Sequence, residues 1–433
     1  MNISRIYNDK IRGHRHYDRA LHWTKLISVT GSSQLIIQAL GMVTGFIVIQ
    51  LLPVREFAYY TIATTILGTM TLLADGGISS GVMAFGGQAW SDRYRLGAVL
   101  ATGLDLRRKF AFWSLLVTIP ILYYLLNKQG AHWWEIAFII AAIIPSFFAA
   151  LSDSLLEIVP KLHQDITSLQ KNQIVVGVLR FILIAGGVFF FPFTAVAMIA
   201  NGIPRIYGNI KLKVIADKFA DSESKPDPTI GKDIMSIVYR MMPEAIYYSL
   251  SGQIAIWFLS FLGNVNSIAQ IGALGKISAV ATLFTIVFST LIMPRFARLG
   301  NERKLLIGRY IQVMMICLAC LTIMILLVWL FSGQILMVLG NAYRGLDVQL
   351  TYLFIGTAIG LLAGFNYSMF TSRGWIMNPV YSISINLLSL GVCAYFIDIS
   401  TLDGAIIYGV ANSLIQLVVN TGFFIYSVVN KTK

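Results

Sequence analysis

The chain is 433 residues long, 57% hydrophobic and only 12% charged, with a mean hydropathy of +0.73. Soluble domains carry about a quarter charged residues, and no polar stretch here is long enough to form one, so a soluble protein is excluded. The formal net charge of +13 needs no nucleic-acid partner, because the basic residues are spread over the connections between apolar runs.

Apolar runs of about eighteen residues or more recur along the chain, each long enough to cross a bilayer as a helix. A membrane β-barrel would show alternation over about ten residues instead. Twelve spans are expected, at 28–51, 57–83, 108–126, 135–157, 174–191, 193–213, 239–262, 266–292, 307–330, 350–371, 379–397 and 404–428. Residues 1–27 lack the apolar core and small-residue cleavage site of a signal peptide. Their Arg5, Lys10, Arg12, Arg15, Arg19 and Lys25 predict a cytoplasmic N-terminus that also suits anionic lipid heads.

Span 1 carries Ser33, Gln34, Gln38 and Thr44 near helical spacing, which fits a cavity-facing stripe or interhelical hydrogen bonds. Its Gly41 and Gly45, like Gly356, Gly360 and Gly364 later, form small-xxx-small rows that read as close helix packing. Span 2 ends in "LLADGGISSG", where Asp75 precedes a glycine-rich segment that loosens the helix. Asp153 and Glu157, at i and i+4 on span 4, share a face near the water interface, where solvation or pairing competes with ion coupling. Arg180 enters span 5 about six residues from its cytoplasmic end. From there a guanidinium either snorkels or offers its fork to phosphate oxygens.

The polar stretch 218–233 divides the chain, giving a first six-helix bundle (28–214), a cytoplasmic linker (215–236) and a second bundle (237–433). Beyond it, Glu244 follows Pro243, where a kink is expected. Asp75 and Glu244 are candidates for ion coupling or gating, since a desolvated carboxylate can hold a proton near neutral pH. The competing account pairs them with Arg240 or Arg180.

Lys276 is the one ionisable acid or base between Ala245 and Pro294. It lies about ten residues below the outer end of span 8, roughly 15 Å deep at 1.5 Å per residue. An isolated lysine at that depth costs about 2.5–3.5 kcal/mol, so it should face protein or a wet cavity, as an anion-binding or gating group or in a structural ion pair. "GALGKI" is no P-loop, because Ile277 stands where Ser or Thr must bind magnesium. Cys317 and Cys320 have CxxC spacing but lie inside an apolar span, as Cys393 does, and read as small apolar filler. No metal, cofactor or catalytic motif is present in the sequence.

Lys and Arg collect at both termini and on the connections after even-numbered spans, Arg93, Arg95, Arg107, Arg108 and Lys109 among them. The opposite connections hold Arg55, Lys128 and Arg344. This bias predicts twelve spans with both termini cytoplasmic. An offset of 211 residues aligns Ala58 with Ala269, Ile66 with Ile277, Thr71 with Thr282 and Leu72 with Leu283. A duplicated unit of six spans follows, its copies related by an axis along the membrane normal and its substrate site between them. The expected architecture is an all-α polytopic membrane protein of twelve transmembrane helices, in two six-helix halves around a central cavity.

Two stretches resemble a known family. "LPVREFAYY" leading to "LLADGG" is similar to the second-span pattern of polysaccharide flippases, at Pro53, Glu56, Phe57, Tyr60, Asp75 and Gly76, with Ala58 in place of the usual glycine. "IGALGKISAV" leading to "LIMPRFARLG" resembles their eighth span, at Ala269, Gly275, Lys276, Ile277, Pro294, Ala297 and Leu299, with Ile271 replacing the common tyrosine. The resemblance, to the Wzx-type polysaccharide-transport branch of the multidrug/oligosaccharidyl-lipid/polysaccharide flippase superfamily, extends over essentially the whole chain. It implies a multi-pass protein of the bacterial inner membrane that moves undecaprenyl-pyrophosphate-linked glycan repeat units outward by alternating access. It further implies coupling to H+ or Na+ and work beside a glycan polymerase and a chain-length regulator. Lys276 and Arg180 would then bind pyrophosphate, with Gln34 and Gln38 among the substrate-facing amides, and Asp75, Glu244, Asp153 and Arg240 would serve coupling or gating. Rival readings are a cation-coupled multidrug exporter of the sister branch, a membrane glycan polymerase or ligase, and a channel or scaffold. A polymerase would want chemistry in a large outer loop, yet the longest one, 331–349, holds only Arg344 and Asp347 as charges.

Overall fold

The computed structural model describes residues 33, 35–251, 254–288, 292–293, 296, 299, 302–373, 375 and 377–431. Every regular element among them is helical. The first half comprises α1 (Leu35–Leu51), α2 (Val54–Asp75), α3 (Ile78–Gln88), α4 (Arg93–Lys128), α5 (Trp133–Leu156), α6 (Ile158–Leu162), α7 (Ile166–Phe190) and α8 (Thr194–Ala216). The second holds α9 (Pro228–Ser251), α10 (Ile254–Leu262), α11 (Val265–Ser278) and, after a 3-10 turn at Ala279–Ala281, α12 (Thr282–Val287). It continues with α13 (Arg303–Leu330), α14 (Ser332–Leu339), α15 (Asp347–Ser372), α16 (Pro379–Phe396) and α17 (Leu402–Lys431). Over the described residues, each of the twelve expected spans falls on one helix or on consecutive helices, and the architecture is the all-α, twelve-span membrane fold in two six-helix halves around a central crevice.

Local chemistry sets the ends. Asp92, Asp165, Asn264 and Asn378 each cap the following helix by accepting a backbone N–H with the side chain. α2 stops at Asp75 because Gly76 and Gly77 follow with φ of 48° and 99°, a left-handed pair that most side chains resist. α4 is much longer than its predicted span. It starts at Arg93, not near 108, and so draws Arg107 out of the expected cytoplasmic connection into the helix.

Three cores organise the packing. One continuous core joins both halves at the end away from the basic connections, where Phe57, Leu126 and Ile139 of the first half meet Leu274, Leu350 and Tyr408 of the second. At the basic end the halves keep separate cores. The first is built from Ile78, Leu96, Leu155, Leu212 and the base of α9, through Ile234 and Val238. The second is aromatic: Tyr310 stacks on Phe424 at 4.0 Å and Phe288 on Phe365 at 4.1 Å. Among the described residues the halves therefore share a core at one end and keep separate cores at the other. α2 and α11 cross tightly on the seam, where a Cβ built on Gly272 would come within 2.4 Å of Thr61 Oγ1. Thr61 and Gly272 are 211 residues apart, so the positions that touch are the ones the internal alignment equates, as an axis passing between parallel repeats requires.

Candidate functional site

α11 carries Lys276 in its last turn, immediately before the 3-10 break. The carbonyls at a helix C-terminus lend an ammonium partial compensation there, and a broken helix at membrane depth is tolerated where it lines a cavity. The stem of Lys276 runs across α1, since a Cβ on Gly45 would sit 3.6 Å from its Cδ. Gly45 thus gives passage to a side chain of the other half, and Gly41 has no neighbour within 4 Å of such a Cβ. The close-packing expectation fails for this glycine row and for Gly364, which likewise has no neighbour within 4 Å, whereas Gly356 and Gly360 do press against Val410 and Ser413 of α17. Lys276 is exposed and makes no hydrogen bond or ion pair among the described residues. Gln38 lies two turns before Gly45 on the same face of α1, half-buried.

Arg180 stands across the crevice on α7, within electrostatic reach of Lys276, Tyr60, Arg205 and Asp153. It lines a cavity of about 280 Å³ between α1, α5, α7 and α8. Its Nε is buried without a hydrogen-bond partner, an expensive state for a guanidinium unless a ligand or water completes it. The cavity's acids are already engaged. Asp153 accepts from Arg205 Nε at 3.2 Å and Asn209 Nδ2 at 2.7 Å, and Glu157 from Lys161 Nζ at 2.8 Å and Gln173 Nε2 at 3.1 Å. Arg180 and Lys276 are left as cations with no carboxylate of their own, the first at the cavity and the second on the seam.

Among the described residues Asp75 is paired, but not with Arg180. Its partner is Arg107, which is 2% exposed, and the same guanidinium donates to Ser79 Oγ, Ser154 Oγ and the Leu151 carbonyl. Ser79 also donates to Asp75 through its hydroxyl at 2.8 Å and its amide at 3.1 Å. One buried network so ties α2, α3, α4 and α5 together. The counted loop residue proves to be the most deeply buried cation of the first half. A signal for it exists in the sequence: Gly103, Arg107, Ala111, Ser114 and Thr118 recur at helical spacing as one small-residue face. Gln34 and the side chains of Arg240 and Glu244 lie outside the described residues. Thr44 lines the Arg180 cavity, with its hydroxyl returned to the Leu40 carbonyl at 2.6 Å.

The span 2 motif is architectural. Glu56 accepts from the Thr194 amide and hydroxyl, both at 2.7 Å, and closes the start of α8. Arg55 donates to Tyr59 Oη and the Gly130 carbonyl. Sequence reasoning missed the seal beside it. Lys128 donates to the Phe261 carbonyl, Gln129 Nε2 to the Ser260 carbonyl at 3.1 Å, and Gln50 Nε2 to the Val338 carbonyl at 2.5 Å. All three bonds link the halves at the shared-core end. The 331–349 connection there is ordered into α14 and a short turn, with Leu336, Leu339 and Tyr343 buried in the shared core.

No family profile and no curated protein matches the chain. Solved structures do. An inward-facing multidrug resistance MATE family transporter of the MOP superfamily superposes with a TM-score of 0.73 at 13% identity, over 92% of this chain and 96% of that one. An outward-facing MATE structure gives 0.58 at 13% identity, over 94% and 96%. A MOP superfamily transporter from Pyrococcus furiosus, described for the reverse polarity of its binding pocket, gives 0.61 at 15% identity, over 94% and 95%. At these identities the likeness establishes the fold, which is that of MATE transporters of the MOP superfamily.

Proposed function

We propose that this protein is an alternating-access flippase for an anionic lipid-linked glycan, with undecaprenyl pyrophosphate as the carrier, in a bacterial inner membrane with both termini cytoplasmic. The observation that carries this reading is the pair Arg180 and Lys276, two cations at membrane depth on facing halves with no carboxylate assigned to either. A pyrophosphate supplies what both lack. The guanidinium fork takes two oxygens, and the ammonium meets the same group from across the crevice. Sugars would fill the wet space between the halves while the prenyl tail stays in lipid. No bond in the substrate has to break.

The basic end, where the cores are separate, faces the cytoplasm in this reading, so the structure is the inward-open state. The higher TM-score against the inward-facing MATE structure supports that assignment. Opening outward then requires breaking the Lys128, Gln129 and Gln50 seal while the basic ends close, which is rocking of the halves about the seam. The division at 215–236 follows from this picture, with α9 crossing from the first half to the second. Coupling to H+ or Na+ would fall to Glu244, since Asp75 and Asp153 are held by arginines.

A cation-coupled multidrug exporter is the second reading, favoured by the multidrug transporters among the structural neighbours. It calls for a free carboxylate facing cationic drugs, and of the acids in the described residues Asp75 and Asp153 are engaged, which leaves Glu244 as its candidate. A glycan polymerase is disfavoured by the packed 331–349 segment.

The deciding experiment replaces Lys276 and follows export of surface glycan alongside protein in the membrane. Lys276→Ala should cut export by about tenfold or more, the worth of one charge-assisted hydrogen bond, and Lys276→Arg should keep part of it. Export unchanged in Lys276→Ala, or resistance to cationic dyes on expression, would sink the flippase reading.

A further inference from the structure

A second cavity, of about 450 Å³, lies at the basic end on the outer flank of the first half, between α4, α5, α8 and residues 221–226. Its volume falls within the roughly 300–1,000 Å³ of small-molecule sites, and the flippase reading leaves it without a role. Arg107 forms part of its wall, buried to 2% exposure, with a buried Nε that has no hydrogen-bond partner. Arg108 and Lys213 stand exposed at its rim and make no hydrogen bond or ion pair among the described residues. Asp105, Asp217 and Asp221 face the same space, and Asp105 is paired with Lys109 at 2.6 Å. Asp217 uses its backbone carbonyl to hold Arg93 Nη2 at 2.6 Å, leaving its carboxylate without a partner among the described residues. Asp221 accepts from Ser224 Oγ and the Glu223 amide. The segment is seated firmly, because Gly97 leaves room for the Asp221 carbonyl, 2.3 Å from where a Cβ would be.

The surface beyond the charged rim is apolar. One turn further into the membrane from Arg108 stands Phe112, 62% exposed, and one turn from Ser152 stands Phe148, 43% exposed. Free cations and carboxylates at headgroup level, over bare aromatic surface, match a molecule with a phosphate, a primary ammonium and hydrocarbon chains. We infer that this cavity binds the headgroup of a phospholipid bearing a primary ammonium, its phosphate between Arg108 and Lys213 and its ammonium on Asp217 and Asp221. Anionic lipid alone would satisfy the basic residues and leave Asp217 and Asp221, the two acids not held by a lysine, repelled. A quaternary choline head has no N–H to donate to them.

The full-length protein is placed in nanodiscs made from equal parts of three phospholipids with identical chains and ethanolamine, glycerol or choline heads, and retained lipid is counted by native mass spectrometry. The ethanolamine lipid should be retained about fivefold over either of the others, the upper range for a solvent-exposed charge pair. Asp217→Asn should erase that preference, and Lys213→Ala should lower retention of all three lipids together. Lys213 is exposed, and Asp217→Asn keeps the carbonyl that holds Arg93, so both variants should stay folded, checked by monodispersity and helical circular dichroism. Lys276→Ala should leave the preference intact, which separates this site from the flippase reading. Equal retention of all three lipids, preference for the glycerol head, or a preference surviving in Asp217→Asn would overturn the inference, as would equally tight binding of soluble glycerophosphoethanolamine.

Discussion

Arg107 and Arg180 are both membrane-depth arginines of the first half, and they differ in one respect. Both keep a buried Nε without a hydrogen-bond partner, but the Nη atoms of Arg107 meet Asp75, two serine hydroxyls and a carbonyl, whereas the Arg180 side chain makes no hydrogen bond or ion pair among the described residues. A charge in hydrocarbon is costly either way. Where the fold supplies the partners, the residue serves stability. Where no described residue supplies one, the proposed ligand would be the partner. Burial alone therefore does not separate the two cations, and the accounting of partners does.

The largest test of this contrast removes Arg107. Arg107→Ala leaves Asp75 uncompensated and opens four elements at once, so it should cost about 3–5 kcal/mol and lower the folded yield in the membrane, read by thermal unfolding in detergent. Asp75→Asn in the same background should recover part of that loss. Arg180→Ala should do the reverse: unfolding within about 1 kcal/mol of wild type, since no native partner is orphaned, and glycan export down by about tenfold or more. Equal destabilisation by both would erase the distinction and return Arg180 to a structural role.

Next in size is the seam. Gly272→Ala drives a methyl group into Thr61, an overpacking that should cost about 1–3 kcal/mol. Gly45→Ala meets only ordinary contact with the Lys276 stem and should be tolerated, while Gly45→Leu should block export by displacing the ammonium. Smaller again is the seal. Removing Lys128 or Gln129 deletes bonds worth about 1 kcal/mol each, enough to shift the population toward the outward-open state roughly fivefold per bond. Distances between spin labels on α4 and α10 would report it. No shift in the double variant would mean that the shared core alone holds that end closed.

How much of this was legible depended on whether the signal was local. The twelve spans were, because hydrocarbon thickness imposes a length on every apolar run. Lys276 and Arg180 were, because a lone charge in such a run is conspicuous. Arg107 was not. α4 continues well past the bilayer, and "RRK" at its inner end looks like a loop until the helix start at Arg93 is known. The α2–α3 break could be read from Asp75-Gly76-Gly77, but the partner of Asp75 could not, since it depends on how α2 and α4 rotate against each other. The seal was invisible for another reason: Lys128 and Gln129 bind backbone carbonyls more than 130 residues away, and carbonyls leave no mark on the letters.

The smallest expected effect concerns a charge outside the membrane, where water replaces the scarce partners of the interior. Asp227, just before α9, accepts from the Thr229 hydroxyl and, at 2.8 Å, from the Thr229 amide, and these bonds hold its carboxyl below the usual value of 3.8. A depressed acid contributes stability that is present above its unfolded pKa and fades as pH falls through the folded one. Acidification from about pH 5 toward pH 3 should therefore loosen the start of α9 in the wild type, seen as faster amide exchange at Thr229 and Ile230. Asp227→Asn should flatten that response, and Thr229→Val, which keeps the amide and deletes the hydroxyl, should move it to higher pH. Both shifts should be slight, because Asp227 is fully exposed and water solvates whichever form it takes, a tolerance that Arg107 and Arg180 do not share.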